Sequence, residues 1–345
     1  MTRLGIYDDG SAPHSVDTLY STLKLEGADK VPPGSVPPAM GCIIVPGGDR
    51  GVRKYYLDTN APSVPVLGVS EGETEGLLAQ VDVKDVHMYT ERLRTANYDT
   101  DEISRLEVTV DGASRYQVLN DATVCSARSA MLMEYLLTID GEEFWHDSSD
   151  GVIVSTPLGS TAYAMSAGGP MIFAGSPVFG IISINSQDVE RRPLVVPQSS
   201  VVEVSEISSR RQCKVVLDGA ERAAVRESVS FSKSDPPAKI VRLRRDTISI
   251  SAMAKRHHLS EDLFNMAPSA KLLLKTLEYE GTLSRRKLAE RTLLPDRTVR
   301  MSLASLIAKG YVKRRVSPRD SRQKMYEIAQ PAAPRGGQPA RKAGA

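Results

Sequence analysis

Residues 149–170, SDGVIVSTPLGSTAYAMSAGGP, run from a continuous apolar segment, Gly151 to Val154, straight into a stretch of hydroxyls and glycines. The apolar run is the pattern of a buried strand. The hydroxyl-rich stretch is polar enough for a surface loop yet is flanked on both sides by apolar sequence. Small hydroxyl and glycine side chains leave the backbone accessible to a bound polar molecule. Asp150 could accept hydrogen bonds, and Thr156, Ser160, Thr161 and Ser166 could give or take them. Tyr163 adds an aromatic face with a hydroxyl. The plainer reading is a tight turn capping a short helix, Thr161 to Ala167, with Ser160 as its N-cap. Physical chemistry alone leaves the two open.

The charge distribution points to two modules. From Ser269 to the end there are 18 Lys+Arg against 6 Asp+Glu, a net of +12, whereas the preceding 268 residues carry 26 against 36, a net of −10. Such a split suggests different partners for the two parts, with nucleic acid a candidate for the basic one. No stretch of about twenty apolar residues is present, so no membrane span is expected. The N-terminal MTRLGIYDDG enters acidic residues without the apolar core of a signal peptide, and the expected location is the cytoplasm. Cys42, Cys125 and Cys213 lie far apart among apolar neighbours and read as buried thiols rather than disulfide or zinc ligands.

The chain begins with alternating strand and helix patterns: RLGIY, SVDTLYSTLKLEG, GCIIVPGGD, VPVLGVS and a helix in VKDVHMYTERLRTANYD. Beyond residue 103 short β segments succeed one another, with turns expected at Asp111-Gly112, Asp140-Gly141 and Asp218-Gly219. AKIVRLRR reads as a last strand returning to the first domain. The expected domains are 1–102 (α/β, with a return strand near 238–245), 103–245 (β-rich), a connector at 246–268, 269–329 (three helices and a hairpin) and a disordered tail at 330–345. In the third of those helices Asp296 is a possible N-cap and Gly310 comes just past the end, with Val299, Leu303, Leu306 and Ile307 on one face.

Two further motifs carry chemistry. VPGGDRG (45–51) follows a buried strand with glycines that would let backbone N–H groups approach phosphate oxygens. Its Asp49 could act as a base toward a hydroxyl or help hold Mg²⁺, although Gly-Gly-Asp is also a common turn. In LNDATV (119–124), Asn120 and Asp121 could hydrogen-bond a ribose or an amide, and equally could be ordinary turn residues.

Taken together, these segments resemble the NAD kinase family from about residue 1 to 245. DGVIVSTPLGSTAYAMSAGGP is close to that family's DG…TPTGSTAY…SAGGP signature. GGDRG stands for GGDGT, NDATV for an Asn-Glu pair, and PVLGVSEGETEGLLA for a P-x-LGIN-x-G-x-x-GFL segment. RRPLVVP (191–197) and VVLDGAE (215–221) match its RPLV-P and late Asp-Gly elements, all in the family order. The resemblance implies an α/β N-terminal domain plus a β-rich second domain with the active site between them. It implies phosphoryl transfer from ATP or polyphosphate, with Mg²⁺ or another divalent cation, to the 2′-hydroxyl of the adenosine ribose of NAD. Asp49 would be the base, Gly47, Gly48 and Arg50 would form the donor loop, and NAD(H) or NADP(H) would be bound. The binding residues would be Asn120, Asp121, Asp150, Thr156, Thr161, Ala162, Tyr163, Ser166 and Asp218. Some of these contacts would come from a second subunit of a homo-oligomer, a dimer or tetramer.

The sequence departs from the pattern at Arg50 (usually glycine), Gly51 (threonine), Ser70 (asparagine), Leu77 (phenylalanine), Asp121 (glutamate) and Ser148 (arginine). A divergent kinase and a dinucleotide-sensing transcriptional regulator without kinase activity both fit. The basic C-terminal segment resembles winged helix-turn-helix domains of the MarR type, which implies a small α+β winged-helix domain that binds double-stranded DNA. Its recognition-helix residues facing away from the core would be Arg297, Thr298, Met301, Ser302 and Ser305, with Arg319 and Arg322 at the wing tip.

Overall fold

The computed structural model describes residues 2–23, 30–35, 40–59, 64–71, 76–127, 131–243, 266–280, 282–292, 294–309, 311–316 and 324–328. Most of the expected connector, the tail at 330–345, Gly310, Arg319 and Arg322 lie outside these residues. The chain divides into two compact units, Met1–Arg256 and His257–Ala345.

The first unit opens with β1 (Arg3–Tyr7), helix α1 (Pro13–Leu23), β2 (Lys30–Val31), β3 (Met40–Val45), helix α2 (Gly48–Asp58), β4 (Val66–Ser70) and β5 (Ala79–Asp82). All five strands pair in parallel, in the order β2-β1-β3-β4-β5. Their near-continuous apolar character follows from burial on both faces: β4 is buried throughout and β3 nearly so. The helix expected in 83–99 is a 3-10 segment, Val83–Tyr89, followed by a short helix α3 (Thr90–Arg94). Asp82 caps the 3-10 segment by accepting the Lys84 N–H, a local bond that favours the tighter turn.

Twelve further strands follow: β6 (Asp99–Val110), β7 (Ser114–Val118), β8 (Asp121–Ser126), β9 (Met133–Ile139), β10 (Glu142–Ser149), β11 (Gly151–Ser155), β12 (Val178–Ile184), β13 (Leu194–Pro197), β14 (Val202–Ser209), β15 (Cys213–Leu217), β16 (Glu221–Val225) and β17 (Val229–Arg242). One antiparallel sheet runs β13-β12-β11-β8-β15-β16. The other runs β10-β9-β14-β17 and continues into the parallel strands, because the end of β17 lies beside β4 with Ile240 opposite Val66. SVSFSKS and AKIVRLRR, which read as separate strands, form this one strand, with a register shift between Ser234 and Ala238 that absorbs the intervening Asp-Pro-Pro. The two sheets enclose a core that includes Val108, Leu137 and Phe231 from one and Val154, Phe179 and Val215 from the other.

The hairpin turns obey simple stereochemistry. Asp111 and Gly112, Asp140 and Gly141, and Asp218 and Gly219 all have positive φ, the conformation a two-residue hairpin loop demands at both positions. Cys42 is buried in β3, where burial pushes its thiol up to about 12; it is an inert core group. Among the described residues no helix is long and apolar enough to cross a membrane.

The second unit holds helix α5 (Pro268–Glu280), β18 (Leu283–Ser284), α6 (Arg285–Thr292), α7 (Asp296–Ala308), β19 (Val312–Val316) and β20 (Lys324–Ile328), following the short helix α4 (Tyr163–Ser166) of the first unit. The three strands form one antiparallel sheet in the order β18-β20-β19. Leu273, Leu277, Leu288, Val299, Leu303, Leu306 and Tyr326 fill the core. Asp296 is not the N-cap of α7: Pro295 holds that position, and Asp296 sits in the first turn, 3.0 Å from Arg285.

The fully buried Phe179 joins the two sheets of the first unit. Phe179→Ala is expected to cost about 3–5 kcal/mol, read as a lowered urea midpoint at unchanged slope.

Candidate functional site

After β3, Gly47 (φ 93°) and Gly48 (φ 66°) turn the chain in the left-handed region and start α2. The segment GGDRG is therefore a helix N-terminus rather than a free loop, with Asp49 and Arg50 in its first turn. Arg50 is not among the positive-φ residues, so the arginine carries no backbone strain. Gly51 is the constrained position, since a Cβ there would lie 1.9 Å from the Pro46 carbonyl oxygen.

The Asp49 carboxylate accepts three successive backbone N–H groups, from Leu77, Leu78 and Ala79, at 3.0, 2.9 and 3.0 Å. Gly76 permits this approach, because a Cβ on it would fall 1.9 Å from Asp49 Oδ1. The buried Arg242 of β17 holds the same segment from behind, donating to the Leu77 carbonyl at 2.9 Å and to Asp101 at 2.6 Å. No local sequence signal marks Arg242, which lies 165 residues from Leu77.

A cleft of about 470 Å³ lies at the carboxyl ends of β1, β3 and β4, lined by Ser11, His14, Gly47, Gly48, Ser70 and Glu71 among others. Open parallel sheets characteristically bind ligands at this edge. Ser15 donates to Glu71 beside it, and Lys54 of α2 pairs with Asp9. The Asp9 and Glu71 side chains thus order the rim.

The second cluster surrounds Asn120. Leu119 and Leu158 belong to the same core as Val52, Tyr55 and Tyr56 of α2. The STPLG segment clamps this turn: Thr156 donates its N–H to the Asn120 carbonyl and its hydroxyl to the Leu119 carbonyl. A Cβ on Gly159 would lie 2.0 Å from the Asn120 carbonyl oxygen. Asp218, in the β15–β16 turn, accepts the N–H groups of Leu119, Asn120 and Asp121 at 2.9, 2.7 and 3.2 Å. Expected as a dinucleotide contact, Asp218 turns its carboxylate inward and shapes the Asn120–Asp121 turn.

Ser160 is not an N-cap. It lies in a 3-10 turn, Gly159–Thr161, donates to the Pro157 carbonyl and accepts the Ile172 N–H. Thr161 is buried, Ala162 half-buried, and Tyr163 and Ser166 are exposed. Asp150 accepts from Asn185 at 2.8 Å and lies apart from this cluster. Along β11, Ser155 is opposite Asp121 while Gly151 is opposite Cys125, so Asp150 stands beyond the far end of the strand.

Burial, and then the neighbouring Asp218 carboxylate, push Asp121 up to about 7, with Arg53 of α2 acting in the opposite direction. Burial also raises Asp218, opposed by the N–H groups of Leu119 and Asn120 and by Arg53. The two carboxylates repel each other in a low-dielectric setting.

On α7, Arg297, Met301 and Ser305 are exposed and Thr298 is half-buried. Ser302 does not face outward: it is buried, with its hydroxyl 2.9 Å from that of Ser269 on α5. Its spacing from Val299 puts it on the apolar face. Arg300, absent from the expected set, is exposed on the same helix.

Residues 119–243 match the family described as ATP-NAD kinase C-terminal domain, and residues 264–323 match the MarR family. An NAD kinase of Methanopyrus kandleri is 34% identical over 200 residues, spanning 58% of this chain and 72% of its own length. The fold is similar to the crystal structure of an NAD kinase from Archaeoglobus fulgidus in complex with ATP, with a TM-score of 0.60 at 22% identity over 74% of this chain and 99% of that one. It is also similar to yeast NADH kinase complexed with NADH, with a TM-score of 0.64 at 18% identity over 77% and 89% of the two chains.

The Asp121 shift has a defined stability signature. An unfolded aspartate ionises near 3.9, so between about pH 4 and 7 the folded chain binds more protons than the unfolded one. Stability from this group is therefore full below about pH 4 and lost as pH rises through about 7. Asp121→Asn should raise Tm relative to the unmodified chain more at pH 8 than at pH 5, by scanning fluorimetry. Equal shifts at the two pH values would mean that Asp121 ionises normally.

Proposed function

The chain belongs to the NAD kinase family, and from that premise we propose that it transfers the terminal phosphoryl group of ATP, or of polyphosphate, to the 2′-hydroxyl of the adenosine ribose of NAD. The observation that carries this reading is the fixed orientation of Asp49 at the start of α2, next to the Gly47–Gly48 cleft. The 2′-oxygen attacks the terminal phosphorus, the bond to the donor's bridging oxygen breaks, and ADP, or the polyphosphate chain shortened by one phosphate, leaves. Asp49 accepts the hydroxyl proton. The backbone N–H groups after Gly47 and the dipole of α2 favour the donor's negative charge, and positioning supplies most of the rate.

Among the described residues no three His, Cys, Asp or Glu side chains cluster to hold a metal. This fits a divalent cation that comes with the donor, bound mainly by phosphates and water. Asn120, Asp121, Thr156, Thr161, Ala162, Tyr163 and Ser166 form or flank the dinucleotide site, and Asp218 supports it. The five residues of β11 between Asp150 and Thr156 are all buried, so no ligand runs along that strand within one chain. In this reading Asp150 serves the cleft of a second copy in a homo-oligomer.

The C-terminal unit, with its net charge of +12 from Ser269 onward and exposed Arg297 and Arg300, binds double-stranded DNA through α7. A second reading, a dinucleotide-sensing regulator without kinase activity, is favoured by the match of residues 264–323 to the MarR family.

Purified full chain given NAD, Mg²⁺ and either ATP or polyphosphate is expected to form NADP, with kcat lowered by about 10²–10⁴-fold in Asp49→Asn. No NADP from either donor, with NAD still binding in a calorimeter, would establish the sensor instead. For the second unit, replacing both Arg297 and Arg300 by Ala should weaken duplex binding and flatten the log K against log salt slope by about one for each phosphate no longer neutralised. An unchanged slope would remove α7 from the DNA surface.

A further inference from the structure

The peptide unit between Leu77 and Leu78 is held from both ends. Its N–H, on Leu78, donates to Asp49 Oδ1 at 2.9 Å, and its carbonyl, on Leu77, accepts from Arg242 Nη1 at 2.9 Å. Arg242 thus stands two hydrogen bonds from the Asp49 carboxylate, through one planar group. Because that group is planar, fixing its carbonyl also fixes the direction of its N–H. A carbonyl bonded to a cation is polarised, and the N–H of the same peptide becomes the stronger donor.

The sheet places the arginine for this task. β17 runs parallel to β4 with Ile240 opposite Val66, so Arg242, two residues on, lies toward the carboxyl edge that also carries the cleft. Alternation along the strand puts it on the same face as Ile240, whose core includes Leu77 and Leu78. Asp101 of β6 stands opposite Ile240 and accepts from Arg242 Nε at 2.6 Å. Just beyond, Arg92 donates to the Leu243 carbonyl at 2.8 Å and secures the end of the strand.

Fold stability gives no reason for a cation here. The Arg242 side chain is only 3% exposed, and its Nη2 is buried without an acceptor among the described residues. A buried ion pair with an unmatched donor is often no better for stability than an apolar side chain of similar size. What the guanidinium adds is a rigid fork that reaches Asp101 and the Leu77 carbonyl at once.

We propose that Arg242 is a positioning residue for phosphoryl transfer: through the 77–78 peptide it fixes the direction of the Asp49 carboxylate toward the hydroxyl it serves. The identity of the reaction rests on the kinase reading; the hold on the Asp49 segment does not.

The test separates the two. In the full chain without ligands, amide hydrogen exchange of residues 77–79 is expected to speed up about tenfold or more in Arg242→Met, relative to β8 and β15 in the same sample. Arg242→Lys, which keeps the charge but loses the fork, should show a smaller rise. With NAD and ATP, kcat is expected to fall about 10–100-fold in Arg242→Met and about 3–10-fold in Arg242→Lys, with KM for NAD and for ATP within about threefold. In an Asp49→Asn background, Arg242→Met should leave kcat within about twofold, since the arginine acts only through that carboxylate. Unchanged exchange at 77–79, or a kcat loss that multiplies with that of Asp49→Asn, overturns the proposal. If Arg242→Met does not fold, Asp101→Ala at its partly exposed position removes one anchor of the fork and is read in the same way. A chain that forms no NADP from either donor but shows the faster exchange loses the kinase reading and keeps Arg242 as the anchor of the Asp49 segment.

Discussion

Leu77, Leu78 and Ala79 all direct their N–H groups at the Asp49 carboxylate, and Leu119, Asn120 and Asp121 direct theirs at Asp218. Each group of three is a short irregular segment whose N–H groups would otherwise need partners inside the protein. An unsatisfied buried donor costs about 1–3 kcal/mol, so each aspartate gathers a sizeable penalty onto one side chain. Both segments enter the site. The first orients Asp49 and is tied by Leu77 to Arg242 on the strand that crosses between the two parts of the sheet. The second presents Asn120 and Asp121. Loss of either carboxylate would release a stretch of site backbone, which distinguishes these residues from ordinary turn formers.

The same arrangement creates electrostatic tension on one side of the site. Asp218 is needed by three amides and is fully committed, so a second carboxylate beside it is disfavoured when ionised. Asp121 carries that cost, and Arg53 offsets part of it. Helix α2 thereby bears on both clusters: its first turn holds Asp49, and its next turn supplies Arg53, whose charge acts on Asp121. Val52, Tyr55 and Tyr56 anchor the opposite face of the helix in a core shared with Leu119 and Leu158. A displacement of α2 would move the carboxylate at its start and unbalance the pair beside it.

Features with local causes were legible in the sequence. The three Asp-Gly turns result from two adjacent residues that tolerate positive φ, and β11 from a run of apolar residues bounded by turn formers. The order of motifs identified the family. Features made by distant residues left no local trace: the grip of residues 77–79 on Asp49, the hold of Arg242 on Leu77, and the merging of two strand signals into β17. Ser302 is an intermediate case. Its hydroxyl suggested an exposed position, yet its spacing from Val299 already placed it on the apolar face, where it finds the Ser269 hydroxyl. Residue type outweighed periodicity there, and the periodicity was the better guide.

The GGDRG loop shows how a motif comparison can assign strain to the wrong residue. Aligned against GGDGT, the arginine at 50 looks like the damaging change and the glycine at 51 a milder one. In the folded chain position 50 is an ordinary helical residue with room for a long side chain, whereas any side chain at 51 would meet the Pro46 carbonyl oxygen at 1.9 Å. A threonine at 51 would require a different path from Pro46 into α2. The tight passage falls at 51, and position 50 is an ordinary helical position with an exposed side chain. Gly51 is thus the residue on which the passage from Pro46 into α2 depends, and Arg50 follows Asp49 as an exposed helical residue.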